Sequence, residues 1–93
     1  MLDNRYYTFL KVYETLNYTR TAEALHVTQS TVSQHIAYLE KKNGVKLFQN
    51  INRRTVALPA ADYLYERTKQ LAKISMELVN KINTTTEEAN RQS

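Results

Sequence analysis

Apolar side chains recur at three- and four-residue steps in the first part of the chain, which predicts an amphipathic helix from Asp3 to Leu16. Asp3 or Asn4 can cap its start, because a short polar side chain accepts a hydrogen bond from a free amide of the first turn. The predicted core-facing stripe consists of Leu2, Tyr6, Phe9, Leu10, Tyr13 and Leu16.

The segment LNYT interrupts this pattern, and a second, shorter helix is predicted from Arg20 to about His26. Thr19 fits as its N-cap, since threonine is favoured directly before a helix. The helical period also predicts that Ala22 and Leu25 face the core.

A third helix is predicted to end at about Asn43, because Gly44 tolerates the left-handed conformation that is common at helix C-termini. Either Thr28 or Ser30 can cap its start. Its core side, plotted at about 100° per residue, carries Val32, Ile36 and Leu39. The opposite arc and its flanks carry Ser30, Thr31, Ser33, Gln34, Ala37, Tyr38 and Lys41.

From Val45 to Leu58 the pattern changes to two short β-prone runs, VKLFQ and TVAL, which predict a β-hairpin with NINRR as its basic tip. Pro59 then suits the first turn of a long helix, where its missing amide hydrogen costs nothing. This helix is predicted to reach about Asn83. The predicted fold class is therefore mainly α: three helices and a small hairpin form a winged helix-turn-helix, and a long helix follows.

The predicted division of the chain has three parts. Residues 1–58 form the winged helix-turn-helix domain, residues 59–83 form a linker and dimerisation helix, and residues 84–93 form a tail. We expect the tail to be disordered, because Ala89 is its one apolar residue.

Leucines at every seventh position of the last helix, in a coiled-coil-like pattern, predict a surface that pairs with a second copy of the chain. Ala61, Thr68, Ser75 and Ile82 fill the alternate positions of this seam. The alternative is a helix that packs back on its own domain. The predicted dimerisation residues are Leu64, Leu71, Ile74, Leu78 and Ile82.

Charge is distributed unevenly along the chain, whose net charge is +4. Residues 1–58 hold eight basic and four acidic side chains, whereas residues 59–93 hold five of each. A basic domain is attracted to polyanions such as nucleic acid or acidic lipid. For the charge taken alone, a merely soluble basic surface is the alternative.

Several classes of protein fit this sequence poorly. No apolar run reaches the roughly 18 residues that a membrane span needs, and the start lacks the apolar region of a signal peptide. The chain has no cysteine, which leaves no disulfide or thiolate metal site and fits the reducing cytoplasm, its expected location. With no Gly-rich phosphate loop and no paired carboxylates in an apolar setting, we expect no enzyme activity and no cofactor. His26 and His35 lack a third ligand at metal spacing, so we expect packing or phosphate contact of them and no metal.

The polar face of the third helix suits the major groove of double-stranded DNA. Two helices joined by a short turn are the units of a helix-turn-helix, whose second helix enters that groove. Gln29 and Gln34 could pair with adenine N6 and N7. Arg53 and Arg54 at the hairpin tip suit the negative minor groove of A·T-rich DNA. The alternatives are an ordinary solvated face for the helix and a solubilising turn for the arginines.

Residues 17–48, NYTRTAEALHVTQSTVSQHIAYLEKKNGVKLF, resemble the N-terminal DNA-binding domain of LysR-type transcriptional regulators. The likeness extends over about residues 2–62, and the helix after Pro59 matches the family's linker helix in position. Ser30 stands where the family commonly has proline, and Gln34 stands where arginine is frequent. The positions in register with the family pattern are Thr19, Ala24, Leu25, Val27, Thr28, Gln29, Val32, Ser33, Ile36, Leu39, Glu40, Gly44, Leu47 and Phe48.

The resemblance implies a winged helix-turn-helix that binds partly palindromic operator DNA as a homodimer through its linker helices, with a higher oligomer expected of a full-length form. The family's effector-binding domain has no counterpart in this sequence, so we expect a DNA-binding fragment or a short member. A helical interaction or dimerisation module without sequence-specific DNA binding is the main alternative. RNA binding is disfavoured, because an aromatic β-platform and a KH-type glycine loop are both lacking. The predicted DNA-binding residues are Thr19, Arg20, Thr28, Gln29, Ser30, Thr31, Ser33, Gln34, Arg53 and Arg54.

Overall fold

The computed structural model of the chain describes residues 3–74. Within these residues, four helices and one two-stranded antiparallel sheet follow the predicted order, and the predicted fold class is confirmed. Leu2, Leu78, Ile82, the predicted helix end near Asn83 and the tail at 84–93 lie outside the described residues. The elements are α1 (Asn4–Thr15), α2 (Tyr18–Leu25), α3 (Gln29–Asn43), β1 (Phe48–Ile51), β2 (Arg54–Ala57) and α4 (helical over residues 59–74).

Helix α1 is capped by Asp3, as predicted. The Asp3 carboxylate accepts a hydrogen bond from the Arg5 amide at 2.9 Å, which satisfies one free donor of the first turn. The prediction that Leu16 faces the core is wrong. Leu16 ends the helix in the left-handed conformation, with φ at 50°, and this leaves its side chain 41% exposed. Val12, one turn earlier, is fully buried and takes its place.

Helix α2 begins two residues earlier than predicted, and the prediction that Thr19 caps it is wrong. Asn17 has extended backbone, and its side-chain oxygen accepts a hydrogen bond from the Arg20 amide at 2.9 Å. The earlier start also brings the Tyr18 ring edge-on to Phe48, with ring centroids 6.4 Å apart. Ala22 is buried as predicted, whereas Leu25 is only half-buried.

Helix α3 has the predicted start, end and core side. The Thr28 hydroxyl accepts a hydrogen bond from the Thr31 amide at 3.1 Å, and this caps the helix. Gly44 ends it with φ at 66°, a conformation that glycine adopts without steric cost. The core side consists of Val32, Ile36 and Leu39, all of which are buried.

The core lies between the first three helices and the start of the hairpin. Phe9 of α1 is fully buried, and its ring centroid lies 5.7 Å from that of Phe48 at the start of β1. Leu47 is also fully buried, and its amide donates a hydrogen bond to the Glu40 carboxylate of α3 at 2.8 Å. The start of the hairpin is therefore attached to α1 by an aromatic contact and to α3 by a hydrogen bond from the residue before β1.

Helix α4 begins at Pro59, as predicted, and one face of it packs back on the chain's own domain. Ala61 and Thr68, which the sequence places in a dimer seam, are instead buried within the chain, because their small side chains allow close approach. Tyr65 stacks on Tyr13 of α1 with ring centroids 4.0 Å apart. The alternative interpretation of the last helix therefore holds for this face.

Candidate nucleic-acid interface

The N-terminal half of α3 presents a polar surface that is directed away from the core. Gln29, Ser30, Ser33 and Gln34 are all exposed, and we call these four residues the recognition surface. No acidic residue lies between Gln29 and Leu39. The helix N-terminus adds a partial positive charge at the same end. The recognition surface can therefore offer hydrogen bonds to a polyanion without repelling it.

Two of the predicted DNA-binding threonines contact each other. The hydroxyls of Thr28 and Thr31 lie 2.9 Å apart, and Thr28 also accepts from the Thr31 amide. Thr31 is only half-buried and Thr28 is exposed, so each keeps a methyl group or a lone pair within reach of a ligand. In the absence of DNA, these hydrogen bonds fix the start of α3, the helix that carries the recognition surface.

A cleft of about 770 Å³ separates the hairpin from the N-terminal ends of α2 and α3. Its walls bring together four of the predicted site residues from distant parts of the sequence, namely Thr19, Gln29, Arg53 and Arg54. Arg20 follows Thr19 at an exposed position. Polar lining residues that are not among the predicted contacts are Asn17, Gln49, Asn50 and Thr55.

The alternation of side chains along β1 could have indicated one of these missed residues. Neighbouring strand positions point to opposite faces, so Asn50 shares a face with the buried Phe48. Cross-strand pairing sets Thr55 opposite Asn50. Asn17 lies outside the strands, and the signal for it is a different one: asparagine is favoured as an N-cap, and Asn17 caps α2.

The hairpin tip contains fewer residues than predicted. The strands extend to the pair Ile51 and Arg54, and the turn consists of Asn52 and Arg53 alone. Both turn residues have positive φ, 51° and 65°, as a two-residue turn of type I′ requires. Arg53 therefore lies at the tip, whereas Arg54 lies at the start of β2 and not in the tip as predicted. Both arginines are exposed.

The basic side chains around the cleft form no ion pair within the part of the chain that the structure describes. Among residues 3–74, the ion pairs are Arg5 with Asp3 at 3.2 Å and Lys11 with Glu14 at 3.9 Å. Arg20, Arg53 and Arg54 thus have no acidic partner within this part of the chain. Their charge remains available to an anionic ligand.

The two histidines occupy structural positions. His26 ends α2 in the left-handed conformation, with φ at 57°. The His35 Nδ1 atom lies 2.8 Å from the hydroxyl of the buried Thr8, so His35 helps to join α3 to α1, as the packing interpretation predicts. Over the described range 3–74, no cluster of three potential metal ligands occurs. No helix in that same range is long and apolar enough to cross a membrane.

Comparison with known sequences identifies relatives among transcriptional regulators. The sequence model of a family described as bacterial regulatory helix-turn-helix protein, lysR family, matches residues 4–61. The HTH-type transcriptional regulator CysL of Bacillus subtilis is 39% identical over 64 residues, which are 69% of this chain and 21% of that protein. The chain thus spans about a fifth of the length of this curated relative.

Comparison with solved structures gives the same fold. The crystal structure of a transcriptional regulator of the LysR family from Eggerthella lenta is 48% identical in sequence, with a TM-score of 0.70 over 74% of this chain and 99% of that one. The BenM_DBD/benA site 1 DNA complex has a TM-score of 0.85 over 92% of this chain and 97% of that one. Its sequence identity is 22%, so this second likeness concerns the fold alone.

Proposed function

The chain belongs to the lysR family of bacterial regulatory helix-turn-helix proteins, which confirms the resemblance in its sequence, and from this premise we propose that it binds double-stranded DNA sequence-specifically as the DNA-binding part of a transcriptional regulator. The observation that carries the proposal is the exposed, acid-free recognition surface at the start of α3. Since the family is described as bacterial, and bacterial chromosomes lie in the cytoplasm, we propose the cytoplasm as its location.

In this proposal, α3 enters the major groove with its N-terminal half towards the bases. Gln29 and Gln34 can each donate to and accept from adenine, while Ser30 and Ser33 can bond to either kind of base edge. Thr28 and Thr31 lie at the helix start, where a phosphate is favoured by the free amides and the helix dipole. Burial of Val32, Ile36 and Leu39 on the opposite side supports this orientation, because it leaves one face of the helix free.

The hairpin is proposed to follow the backbone and reach the adjacent minor groove. Arg53 at the tip is the residue best placed to enter that groove, and Arg54 and Arg20 are proposed to contact phosphates. Arg53 retains a large side chain at a turn position with φ at 65°, where glycine would be less strained. The proposed contact of the guanidinium group with DNA is a reason for an arginine at this position.

We further propose that the protein acts as a homodimer through the outer face of α4. Leu71 and Ile74 are 52% and 59% exposed, and the neighbouring Tyr63 is 70% exposed. The leucine repeat continues in the sequence to Leu78, so the predicted apolar row extends beyond the residues that the structure describes. A second copy is the occupant that fits, since a two-fold dimer reads two half-sites of a partly palindromic operator. The proposed dimerisation residues are completed by Leu78 and Ile82 further along the sequence and by Leu64, which is half-buried against the chain's own core at the edge of this face.

Selection from a random duplex pool, followed by footprinting, tests the proposed DNA binding. We expect a partly palindromic motif to be enriched, and the association constant on that motif to fall steeply as salt rises, because bound phosphates release counterions. A pool without enrichment, together with salt-independent self-association, would instead identify the chain as a helical interaction module.

A variant of the hairpin β1–β2, which is the wing of this fold, makes the same experiment quantitative. Arg53→Ala combined with Arg54→Ala should weaken binding to many sequences and reduce the slope of log affinity against log salt by up to about two units. Lys11→Ala combined with Lys73→Ala is the matched control, since it removes the same charge from the outer side of α1 and from α4. Equal slopes for the two double variants would assign the effect to net charge and not to the wing.

A further inference from the structure

A second basic surface lies where the start of α1 meets the middle and end of α3. It consists of Arg5, Tyr6, Tyr38 and Lys42, and we call it the α1–α3 edge. The guanidinium carbon of Arg5 lies 3.8 Å from the centroid of the Tyr38 ring. The Lys42 Nζ atom lies 5.9 Å from the ring centroid of Tyr6 and 6.0 Å from that of Tyr38. Two cations therefore converge on one tyrosine that is itself 40% exposed.

The stacking of Arg5 on Tyr38 orients the guanidinium group. A guanidinium over an aromatic face keeps its N–H groups at the edge of the plane, where they can donate; in Arg5, Nη1 donates to the Asp3 carboxylate at 3.2 Å. The Tyr38 hydroxyl adds a further donor beside them. Such a set of donors with two positive charges matches a phosphate group, which accepts paired hydrogen bonds from arginine. An apolar partner would have to desolvate both cations, which is unfavourable.

The position of Tyr38 on α3 relates this edge to the recognition surface. Tyr38 follows Gln34 by four residues, so it lies one turn further along the same face. It follows Gln29 by nine residues, or about 14 Å at 1.5 Å per residue. The major groove is about 12 Å wide. A helix that reads bases with its first turns and lies across the groove therefore brings Tyr38 near the far sugar–phosphate backbone.

The two flanks of α3 face different elements. One flank faces the hairpin, since Gln29 lines the cleft and Glu40 accepts from the Leu47 amide. The other flank faces α1, as the contact of His35 with Thr8 and the stacking of Arg5 on Tyr38 demonstrate. The basic residues of the wing and those of the α1–α3 edge thus lie on opposite sides of the recognition surface.

We propose that the α1–α3 edge binds a phosphate of the DNA strand opposite to the one that the wing contacts, so that the recognition helix is held from both sides. This inference rests on the proposed function, because it requires α3 to lie in the major groove. Arg5 and Lys42 are the proposed phosphate ligands, and Tyr38 orients Arg5 and donates from its hydroxyl.

Asp3 modulates this contact. Its carboxylate forms an ion pair with Arg5 at 3.2 Å, and the two side chains are 47% and 38% exposed. An exposed pair of this kind contributes little stability, so a phosphate can compete for the guanidinium group. The negative charge of Asp3 nevertheless opposes the approach of a phosphate. Asp3→Asn keeps a side chain that can cap α1 and removes that charge.

Phosphate-ethylation interference on the selected duplex tests the inference directly. With the wild type, we expect ethylation to interfere at phosphates on both strands of each half-site. Arg5→Gln combined with Lys42→Gln should abolish interference on one strand only, reduce the salt slope by up to about two units, and leave the enriched motif unchanged. Asp3→Asn should bind the same duplex several-fold more tightly. Lys11→Gln combined with Lys73→Gln is the matched control and should retain the complete interference pattern.

The possible outcomes separate this inference from the proposed function. If the wild type enriches a motif but the Arg5 and Lys42 double variant retains both the interference pattern and the slope, the α1–α3 edge does not bind phosphate and the proposed function stands. The same conclusion follows if the control double variant loses as much slope. If the wild type enriches no motif, the proposed function fails and the inference fails with it. Because Asp3→Asn is predicted to gain affinity, a folding defect cannot imitate its expected result.

Discussion

The recognition surface of α3 and the outer face of α4 are both exposed, but their side chains differ in kind. The former is made of uncharged hydrogen-bonding groups beside arginines that form no ion pair within residues 3–74, whereas the latter presents Tyr63, Leu71 and Ile74 to solvent. Uncharged polar groups beside free cations match the base edges and phosphates of DNA. Exposed apolar groups in a helical row match another apolar row. The comparison indicates that the α3 surface suits a polar, anionic partner and that the α4 face suits an apolar one.

The two surfaces are also attached to the core differently. Helix α3 is fixed by three large buried side chains and by the bond from the Leu47 amide to Glu40. Helix α4 is attached through the small residues Ala61 and Thr68 and through the stack of Tyr65 on Tyr13. The Tyr13 hydroxyl also donates to the Asp62 carboxylate at 2.6 Å, and this hydrogen bond is the main cause that raises the pKa of Tyr13. The attachment of α4 therefore relies on small buried side chains, a tyrosine stack and an exposed hydrogen bond, whereas that of α3 relies on large buried side chains.

The largest expected effect comes from the core that both surfaces share. Phe9 is fully buried and lies against Phe48 and, more distantly, Tyr13. Phe9→Ala should lower the free energy of unfolding by about 3–5 kcal/mol, as measured by urea denaturation followed by circular dichroism. Tyr7→Ala, on the exposed side of α1, should cost less than about 1 kcal/mol. Similar losses for the two variants would contradict the assignment of Phe9 to the core.

The next effect should be confined to the recognition surface. Gln29→Ala and Gln34→Ala should each cost about 1–3 kcal/mol of binding on the best site and relax the base preference in a duplex selection. Gln70→Ala is a matched control for base preference: Gln70 is an exposed glutamine on the outer face of α4, so its loss should leave the preferred bases unchanged even if it alters dimerisation. If both α3 variants keep the wild-type preference, α3 is not the element that reads the bases.

The corresponding change on α4 should separate the two copies. Leu71→Glu places a charge in the proposed apolar contact and should weaken dimerisation at least tenfold, or about 1.4 kcal/mol. Sedimentation equilibrium at tens of micromolar should detect this loss, while circular dichroism should remain that of the folded domain. Dimerisation of the wild type should also persist at high salt, in contrast to DNA binding.

Val45→Glu is the control for this variant. Val45 is 42% exposed and lines a surface depression together with Ala37 and Lys41 of α3, so its substitution should leave the dimer intact. A monomeric wild type, or a Leu71→Glu protein that stays dimeric, would remove the functional distinction between the two surfaces.

Elements specified by local sequence could be predicted, and those specified by distant contacts could not. Thr28 and Gly44 bound α3 through hydrogen bonds to nearby residues, and both were identifiable from the pattern alone. The start of α2 differs from the prediction because Asn17 and Thr19 are both favoured as N-caps, and the structure uses Asn17; the earlier start is accompanied by the contact of Tyr18 with Phe48, thirty positions away. The burial of Ala61 and Thr68 depends on distant contacts, since a seven-residue repeat does not reveal whether its partner is another copy or the same chain.

The candidate site divides in the same way. The exposed residues of α3 followed from helical periodicity, because one face had to be buried. The sequence predicts Arg54 at the hairpin tip, whereas Arg54 pairs with Ile51 in the sheet. A polar run does not reveal how far cross-strand pairing continues into it. The α1–α3 edge is recognised from the distance between Arg5 and Tyr38, and no local sequence pattern predicts that distance.

The smallest effect at neutral pH is expected of Tyr18, which joins the recognition side of the molecule to the wing. Burial, and secondarily the negative charge of Glu40, raises the pKa of Tyr18 from 10.0 to about 12. The folded chain therefore favours the neutral phenol. Above pH 10 the unfolded chain ionises this group while the folded chain does not, so stability is fully present below pH 10 and is lost as the pH rises towards about 12.

Replacement of Tyr18 by phenylalanine should remove this part of the pH dependence. Two pKa units correspond to at most about 2.7 kcal/mol, and partial solvation of the side chain makes the real loss smaller. We expect Tyr18→Phe to unfold like the wild type at pH 7 but to lose less stability between pH 10 and pH 12, as measured by urea denaturation. Tyr63→Phe, at a position that is 70% exposed, should retain the wild-type profile. If the Tyr18→Phe and wild-type profiles coincide up to pH 12, burial of the phenol does not stabilise the junction between α2 and the hairpin, and the aromatic contact with Phe48 alone accounts for it.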